Sequence, residues 1–304
     1  MTAPDSTSPP PLARPGFDRA AGERLTPGLV DALKSDAATR VLVIAGDAAP
    51  LAAPDVLLWR VPDDVPAGGE WAFLGRHDDG GALLAAVFPS SEDELFSAPG
   101  GWAGLRSAGA ALSAAEAGAF VAALSLGRWL LDAPFCPACG TRTNLGDSGW
   151  SRRCPHCGRQ HFPRTDPAVI VAITSAADPD LLLLGSNALW GADRFSCFAG
   201  FVEAGESLDA AVRREVAEES GVAVGAVSYR GSQAWPYPRS LMVGFLATAV
   251  DDAAAQADGD EIAAVRWFTR DEIGRALAGR GDVTLPGPAS IAHRLIADWH
   301  AERT

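Results

Sequence analysis

Apolar and polar residues follow one another along the chain in blocks that predict distinct structural regions. Between residues 17 and 110, short apolar stretches are separated by Asp, Gly and Pro, which is typical of a strand-rich domain. A helix is predicted next: Ser113 can cap its first turn, Glu116 can reach back to the cap, and apolar residues recur at helical spacing to Leu131. Pro134 ends this helix, and the composition changes there to Cys, Gly, Arg and Asn.

From Ala168 the pattern indicates a second, mixed domain that contains both strands and helices. One helix is predicted over residues 208–220, another directly after the capping-box sequence Thr269–Glu272, and a last one over residues 290–302. The predicted strands cover residues 168–174, 181–184, 226–231, 241–249 and 262–268.

These blocks predict four regions: a disordered tail rich in Pro and Ser, a strand-rich N-terminal domain, a small Cys-containing module and the mixed C-terminal domain. Their expected bounds are 1–16, 17–133, 134–167 and 168–304. No apolar run reaches the roughly 18 residues of a membrane span, and the N-terminus lacks the apolar segment of a secretion signal. We therefore expect a cytoplasmic protein without a membrane segment.

The charge balance narrows the class of partner. The 304 residues include 38 acidic and 25 basic side chains, which give a formal net charge of −13. This excess repels a polyanion and argues against general coating of nucleic acid, although a local basic site remains open. Because 48% of the residues are apolar, the chain can bury a sizeable core, and the disordered and fibrous classes are excluded.

Four cysteines in the small module have the spacing of a metal site. Cys136 and Cys139 are separated by two residues, as are Cys154 and Cys157, so each pair can present two sulfurs to a tetrahedral Zn²⁺. With four protein ligands the zinc would be structural, one ion per chain. Two disulfides are the alternative, which a reducing cytosol disfavours. Cys197 lies in an apolar stretch and is expected to be a small buried side chain.

The same module carries an excess of positive charge, which makes it a candidate nucleic-acid contact on an acidic protein. The alternative is that these side chains only solvate a module with little core. The residues concerned are Arg142, Arg152, Arg153, Arg159 and Arg164.

The main candidate for chemistry is an acidic helix. Glu215, Glu218 and Glu219 stand at positions i, i+3 and i+4, so three carboxylates crowd one helix face. Like charges in this arrangement are destabilising unless a cation is bound, and Mg²⁺ prefers carboxylate and phosphate oxygens. Taken alone, the helix could equally have an ordinary solvated face on which Arg214 pairs with Glu218.

The flanking residues favour the metal site. Ser207 can cap the start of the helix and Gly221 can end it, while Glu206 and Arg214 can pair to brace the preceding loop. Residues 200–222 resemble the Nudix box, G-x5-E-x7-R-E-U-x-E-E-x-G-U with U aliphatic, and match it at every defined position.

The resemblance implies a fold and a reaction class for residues 168–304. Nudix hydrolases have an α/β/α sandwich with a mixed sheet and hydrolyse nucleoside diphosphates linked to another moiety, with two or three Mg²⁺ or Mn²⁺ ions. By the family pattern, Glu215 and Glu219 would be metal ligands, Glu218 a ligand or base, and the Ala199 carbonyl a further ligand. Which glutamate accepts the proton varies within the family and stays open here.

A segment beyond the Nudix box indicates the subfamily. Residues 232–240, SQAWPYPRS, are similar to the SQPWPFPxS signature of NADH pyrophosphatases, with Ala234 in place of a Pro and Tyr237 in place of a Phe. As isolated composition this would be a rigid surface loop. The subfamily also has a four-Cys zinc ribbon directly before the Nudix domain and a divergent domain before that, which is the order found in this chain.

This resemblance implies further site residues. Phe162 and Phe201 would sandwich the nicotinamide or base, and Glu261 would be an additional metal ligand. Ala292 would touch the substrate, and Arg106 would contact phosphate. The substrate-binding segment would comprise Gln233, Ala234, Trp235, Pro236, Tyr237, Pro238, Arg239 and Ser240.

The expected function is that of a homodimeric NAD(H) diphosphatase that cleaves NADH or NAD⁺ into AMP and a nicotinamide mononucleotide. Because the same pyrophosphate joins NAD to the 5′ end of NAD-capped RNA, decapping is a natural second activity of such a site. One alternative is a Nudix hydrolase for another dinucleotide, such as ADP-ribose. The other is a non-catalytic zinc-ribbon protein that binds nucleic acid, which the intact Glu and Arg residues of the box disfavour.

Overall fold

The computed structural model describes residues 9–14, 16–90 and 95–302. They form two compact units. The N-terminal unit comprises residues 14–165 together with 236–239, and the C-terminal unit comprises 166–235 and 240–304 together with residues up to 13, as far as these are described. The predicted small module therefore belongs to the N-terminal unit.

Six strands and three helices make up the first part of the N-terminal unit. The strands are β1 (Arg40–Ala45), β2 (Ala48–Ala53), β3 (Val56–Leu57), β4 (Glu70–Arg76), β5 (Ala82–Phe88) and β6 (Trp102–Gly104). The helices are α1 (Leu29–Lys34), α2 (Leu105–Ala108) and α3 (Ala114–Asp132). The sheet has the order β3-β2-β1-β5-β4, with β1 parallel to β5 and with β6 paired to β2.

Helix α3 is the core helix of this unit. It is long and apolar enough to cross a membrane by length and composition, but 61% of that window is buried, and the helix packs on β1, β4 and β5. Ser113 caps it as predicted by accepting from the Glu116 N–H. The expected return bond from Glu116 is not formed, because its carboxylate accepts from the Leu57 N–H at 2.9 Å and from the Ser113 hydroxyl at 2.8 Å.

The Cys-containing module forms a three-stranded sheet of β7 (Asn144–Gly146), β8 (Ser151–Arg153) and β9 (Gln160–His161). Arg152 of β8 is buried, donates to the Leu130 carbonyl at 2.6 Å and lies over the Trp129 ring. Its inclusion among the exposed arginines of the module was therefore wrong. Arg152 connects the module to helix α3, whereas the other four arginines are exposed.

The C-terminal unit is the predicted sandwich of a mixed sheet between helices. Its strands are β10 (Asp166–Thr174), β11 (Leu181–Asn187), β12 (Phe198–Phe201), β13 (Val224–Trp235), β14 (Ser240–Ala249) and β15 (Ile262–Thr269). Its helices are α4 (Leu208–Ser220), α5 (Arg270–Leu277) and α6 (Ile291–Ala301). The sheet order is β13-β14-β10-β11-β15, with β12 paired to β10. Core residues of α4 pack on one face and those of α5 and α6 on the other.

Part of the predicted tail is folded. Residues 1–8 and Pro15 lie outside the described residues. Pro11–Ala13, in contrast, form a short 3-10 turn that buries Leu12 and lies close to β13.

The two large sheets share one path, which means that their strands pair in the same order along the chain. In each, the first two strands form an antiparallel hairpin, the fifth strand runs parallel to the first, the fourth pairs antiparallel with the fifth, and the last pairs with the second. Strands β1, β2, β4, β5 and β6 thus correspond to β10, β11, β13, β14 and β15. Between β3 and β4 the N-terminal unit has only the short 3-10 turn Pro62–Asp64 where the C-terminal unit has α4.

Candidate active site

Helix α4 has the boundaries that its capping residues predict. The Ser207 side chain accepts from the Ala210 N–H at 3.2 Å, and Gly221 ends the helix in the left-handed conformation with φ 69°. Because these caps set the helical register, the three glutamates of α4 all border one cleft.

Arg214 braces the acidic residues from one side. Its guanidinium donates to Glu206 and to the Phe201 carbonyl at 2.9 Å, and it lies 2.8 Å from Glu215 and 3.0 Å from Glu218. The predicted pair with Glu206 is confirmed. The pair with Glu218, the basis of the solvated-face alternative, forms as well, so one arginine faces three carboxylates.

Glu215 packs tightly against the preceding loop. A Cβ at position 200 would lie 2.0 to 2.1 Å from the Glu215 carboxylate, so only glycine fits there. Burial is the main cause that raises the pKa of Glu215, and Arg214 acts in the opposite direction. Gly200 is therefore needed for the close approach of backbone and carboxylate, and not only for a turn.

Glu219 is the buried member of the cluster. Glu219 is 6% exposed, and its carboxylate accepts a hydrogen bond from the Ala199 N–H at 3.2 Å. Burial, followed by the charges of Glu215, Glu261 and Asp258, raises the pKa of Glu219 to about 8. Since the N–H and C=O of one strand residue point to the same side, the Ala199 carbonyl also faces this cluster.

Further acidic residues of the site come from the loop before β15. The Asp258 Oδ1 atom accepts from the N–H groups of Asp260, Glu261 and Ile262 at 2.9, 3.1 and 2.9 Å. These bonds lower the pKa of Asp258 and fix the backbone that carries Glu261. Glu261 was predicted from the sequence and Asp258 was not, although an Asp followed by Gly and Asp is typical of such a turn.

These elements enclose one cleft of about 760 Å³. Seven carboxylates line it against a single guanidinium, and their oxygens are the donors that a hard divalent cation prefers. The residues present therefore fit Mg²⁺ or Mn²⁺. The acidic lining comprises Glu203, Glu215, Glu218, Glu219, Asp258, Asp260 and Glu261, and the remaining lining is Ala168, Ala199, Gly200, Phe201, Arg214, Ser240 and Met242.

The expected substrate residues fall into both units. Phe201 and Ser240 line the cleft of the C-terminal unit, and the Phe201 ring is exposed. Pro236–Arg239 belong to the N-terminal unit, where the Tyr237 ring lies 4.0 Å from the Arg106 guanidinium carbon and 5.5 Å from that of Arg128. Phe162, in the same unit, also has an exposed ring. Ala234 and Trp235 are half-buried.

Two of the residues expected to contact the substrate have buried side chains. Gln233 is 1% exposed, and its amide donates to the Ala289 carbonyl at 3.0 Å, so it joins β13 to the segment before α6. Ala292 is 3% exposed and packs in the core between the sheet and α6. Neither side chain is available to a ligand in this structure.

The four cysteines converge as their spacing predicts. One Sγ atom from each of Cys136, Cys139, Cys154 and Cys157 lies within 4.8 Å of the others. Hydrogen bonds from Thr141 lower the pKa of Cys139 to about 5, whereas the neighbouring sulfurs help to raise that of Cys157. Such a cluster forms one thiolate readily and needs a cation to hold four. All five cysteines lie among the described residues and are free of disulfide bonds, and Cys197 is buried as expected.

One residue near the cysteines was missed. The His161 Nε2 atom lies 3.3 Å from the Cys136 Sγ atom, at hydrogen-bond distance for sulfur. A ring N–H in that position would support a thiolate ligand from outside the metal shell.

Comparisons with known proteins match the chain in three parts. Residues 164–285 match the NUDIX domain, residues 132–162 the NADH pyrophosphatase zinc ribbon domain, and residues 29–129 the NADH pyrophosphatase-like rudimentary NUDIX domain. The last description agrees with an N-terminal sheet that has the same path as the C-terminal one but lacks the helix corresponding to α4.

Two curated relatives are similar over different lengths. The NAD-capped RNA hydrolase NudC of Mycobacterium tuberculosis is 38% identical over 314 residues, which cover 97% of this chain and 96% of the relative. The human NAD-capped RNA hydrolase NUDT12 is 41% identical over 194 residues, covering 60% of this chain and 42% of the relative.

Solved structures similar to the chain include a NUDIX hydrolase from Nitrosomonas europaea and a MutT NUDIX hydrolase from Burkholderia pseudomallei. The first has a TM-score of 0.38 and 23% identity and covers 56% of this chain and 91% of its own. The second has a TM-score of 0.35 and 20% identity and covers 45% and 98%.

Proposed function

Because this chain belongs to the Nudix hydrolase family, in the group with the NADH pyrophosphatase zinc ribbon, we propose that it is a metal-dependent NAD(H) diphosphatase. It would cleave the central pyrophosphate of NADH or NAD⁺ to AMP and a nicotinamide mononucleotide. The observation that carries the proposal is the convergence of Glu215, Glu219 and Glu261 on one cleft beside the exposed ring of Phe201.

The acidic cleft supports the reaction class. Glu215, Glu219, Glu261 and the Ala199 carbonyl would hold two or three Mg²⁺ or Mn²⁺ ions, which would neutralise the diphosphate and lower the pKa of a bound water. Glu218, the most exposed of the three helical glutamates, would serve as a ligand or as the base. Arg214, which also lines the cleft, pairs with Glu215 and Glu218 and so fixes the positions of their carboxylates.

Aromatic and polar residues support a dinucleotide as substrate. The rings of Phe201 and Phe162 are exposed, and each offers a flat face to a nicotinamide or adenine. Arg106 is exposed and stacks on Tyr237, so it would contact phosphate from a fixed position. Trp235, Pro236, Pro238, Arg239 and Ser240 would complete the substrate segment.

NAD-capped RNA is the second proposed substrate, since it contains the same reacting pyrophosphate and since the names of the curated relatives state this activity for those proteins. The exposed arginines of the zinc ribbon would contact the RNA body. These are Arg142, Arg153, Arg159 and Arg164. A cytoplasmic homodimer with one structural Zn²⁺ per chain remains part of the proposal.

One assay tests the proposal directly. Purified protein with Mg²⁺ or Mn²⁺ is incubated with NADH, NAD⁺, ADP-ribose and NAD-capped RNA, and the products are separated. AMP together with reduced nicotinamide mononucleotide from NADH is the expected result. Cleavage of ADP-ribose alone would support the alternative dinucleotide hydrolase. No cleavage of any substrate, with RNA still bound, would support the non-catalytic zinc-ribbon protein.

A further inference from the structure

The N-terminal unit contains a cleft of its own, of about 500 Å³, at one end of its sheet. Its volume is within the range of small-molecule sites, which is about 300 to 1,000 Å³. The polar and aromatic residues that line it are Thr39, Arg40, Trp59, Arg60, His77 and Glu116.

The position of this cleft corresponds to that of the acidic cleft in the C-terminal unit. There, β12 pairs antiparallel with the first strand of the sheet, Gly200 opposite Val169. Here, Arg60 forms an antiparallel bridge with Val41 of β1 through two hydrogen bonds of 2.8 and 3.0 Å. Trp59 and Arg60 therefore occupy the places of the residues that border the acidic cleft.

The strand ends agree with this correspondence. The acidic cleft is bordered by Ala168 and Met242, which are opposite each other at the start of the parallel strands β10 and β14. The cleft of the N-terminal unit is bordered by Arg40 and Leu83, which are opposite each other at the start of β1 and β5. Both clefts thus open at the same end of equivalent sheets.

The chemistry of the two clefts is opposite. Of the described residues that line the N-terminal cleft, Glu116 is the only carboxylate, and its oxygens already accept from Leu57 and Ser113. Two arginines, Arg40 and Arg60, line it instead. Their carboxylate partners, Asp79 for Arg40 and Asp64 for Arg60, are 50% and 55% exposed at the side chain and lie outside the lining.

The N-terminus of the 19-residue helix α3 also borders the cleft and favours negative charge there. Thr39 belongs to the lining as well, but it is 1% exposed, so its side chain is not available to a ligand in this structure.

We propose that this cleft is a second, metal-independent binding site for a nucleoside monophosphate. The phosphate would lie between Arg40, Arg60 and the start of α3. It would replace the exposed carboxylates of Asp79 and Asp64 as the partner of the two arginines. The indole ring of Trp59 would stack on the base. Because the lining lacks a carboxylate cluster, the site would bind the ligand without hydrolysing it. The proposal does not depend on the substrate of the acidic cleft.

The test uses the full zinc-containing chain without added Mg²⁺ or Mn²⁺, with 5′-AMP, adenosine and inorganic phosphate as probes. Affinity is measured by calorimetry, and the site is located by hydrogen exchange. AMP is expected to protect residues 36–42 and 58–62 and to bind at least about tenfold more tightly than either adenosine or phosphate, since each lacks one contact.

Substitution of Arg40 separates binding from folding. Arg40→Ala breaks an ion pair with Asp79 in which both side chains are exposed, so we expect the melting temperature of the ligand-free protein to stay nearly unchanged while AMP affinity falls at least about tenfold. Arg60→Ala should weaken AMP binding at least about tenfold. Arg19→Ala, an exposed arginine of the same unit outside the cleft, is the matched control and should bind AMP normally.

Three results would overturn the proposal. Protection by AMP of segments of the C-terminal unit alone would place binding in the acidic cleft. Wild-type AMP affinity in both Arg40→Ala and Arg60→Ala would exclude these arginines as phosphate contacts. Phosphate binding as tight as that of AMP would exclude a nucleotide site and leave a simple anion site.

Discussion

At the scale of single residues, Glu219 has an unusual environment, because it is buried beside three other carboxylates, and among the described residues its one backbone donor is the Ala199 N–H. Glu219→Gln removes its charge with almost no change in shape. We expect NADH hydrolysis to fall by roughly 10²-fold or more, the scale on which loss of a main electrostatic contributor acts. The measurement is kcat at saturating Mn²⁺.

The matched control for this substitution is Asp209→Asn on the exposed first turn of the same helix. It should retain activity and a wild-type melting temperature. If Glu219→Gln stayed within a few-fold of wild-type activity while folded, Glu219 would not be a metal ligand.

The raised pKa of Glu219 predicts how pH changes the effect of the cation. In the folded protein the pKa is about 8, above its ordinary value of 4.5, so the folded state retains a proton that the unfolded chain loses. The resulting stability is fully present below 4.5 and is lost as pH rises through 8. A cation that pairs with the carboxylate offsets this loss. Stabilisation by Mn²⁺ in thermal melts should thus be larger at about pH 8.5 than at about pH 6, and Glu219→Gln should reduce the difference.

Asp258 acts on the site through the backbone of Glu261. Replacing it by Ala removes the acceptor of three N–H groups, whereas Asn keeps an oxygen at the same place. We expect Asp258→Ala to weaken Mn²⁺ binding by about tenfold, in the range known for residues that orient metal ligands. Asp258→Asn should restore most of the affinity. Mn²⁺ binding followed by electron paramagnetic resonance measures this without turnover, and equal loss in both variants would show that Asp258 acts through its charge.

At the scale of elements, local signals decided what the sequence could predict. Helix α4 was predicted at its observed bounds because both capping residues are visible in the sequence. Strand β13 was predicted over residues 226–231 but runs from Val224 to Trp235. It is an edge strand with two register shifts against β14, so its alternation of buried and exposed residues is interrupted and no single period marks its ends.

The zinc ribbon is the element whose stability depends on one ion. Its strands are two or three residues long, and the four sulfurs converge at their ends. We expect one Zn²⁺ per chain to copurify, and Cys154→Ser to lower the melting temperature of the N-terminal unit. Metal analysis and hydrogen exchange measure this. Two disulfides in mass spectrometry, or a chain free of zinc with an unchanged melt, would contradict the assignment.

At the scale of the whole molecule, the sequence predicted the order of the parts and the helical glutamates that line the acidic cleft, since each is carried by a local motif. It did not reveal that the two large sheets share one path, because strand pairing joins residues that are distant in sequence. The burial of individual side chains could not be predicted from the sequence either. Gln233 and Ala292 lie near motif residues, yet their side chains pack inward, and only the folded sheet shows it.

The net charge of −13 repels RNA, so RNA binding tests whether the exposed arginines of the zinc ribbon outweigh this repulsion locally. Arg153 and Arg159 are exposed on the zinc ribbon, whereas Arg152 is buried and holds α3. In a Glu219→Gln background, Arg153→Ala with Arg159→Ala should weaken binding of NAD-capped RNA and lower its salt slope by roughly 0.7 for each lost contact. With Glu219 intact, NADH cleavage should be unchanged by the same pair of substitutions.

Arg152→Ala is the contrasting variant and should lower the melting temperature instead. Equal losses on RNA and NADH from the exposed pair would assign these arginines to the fold, and no loss on either would leave the ribbon without an RNA contact.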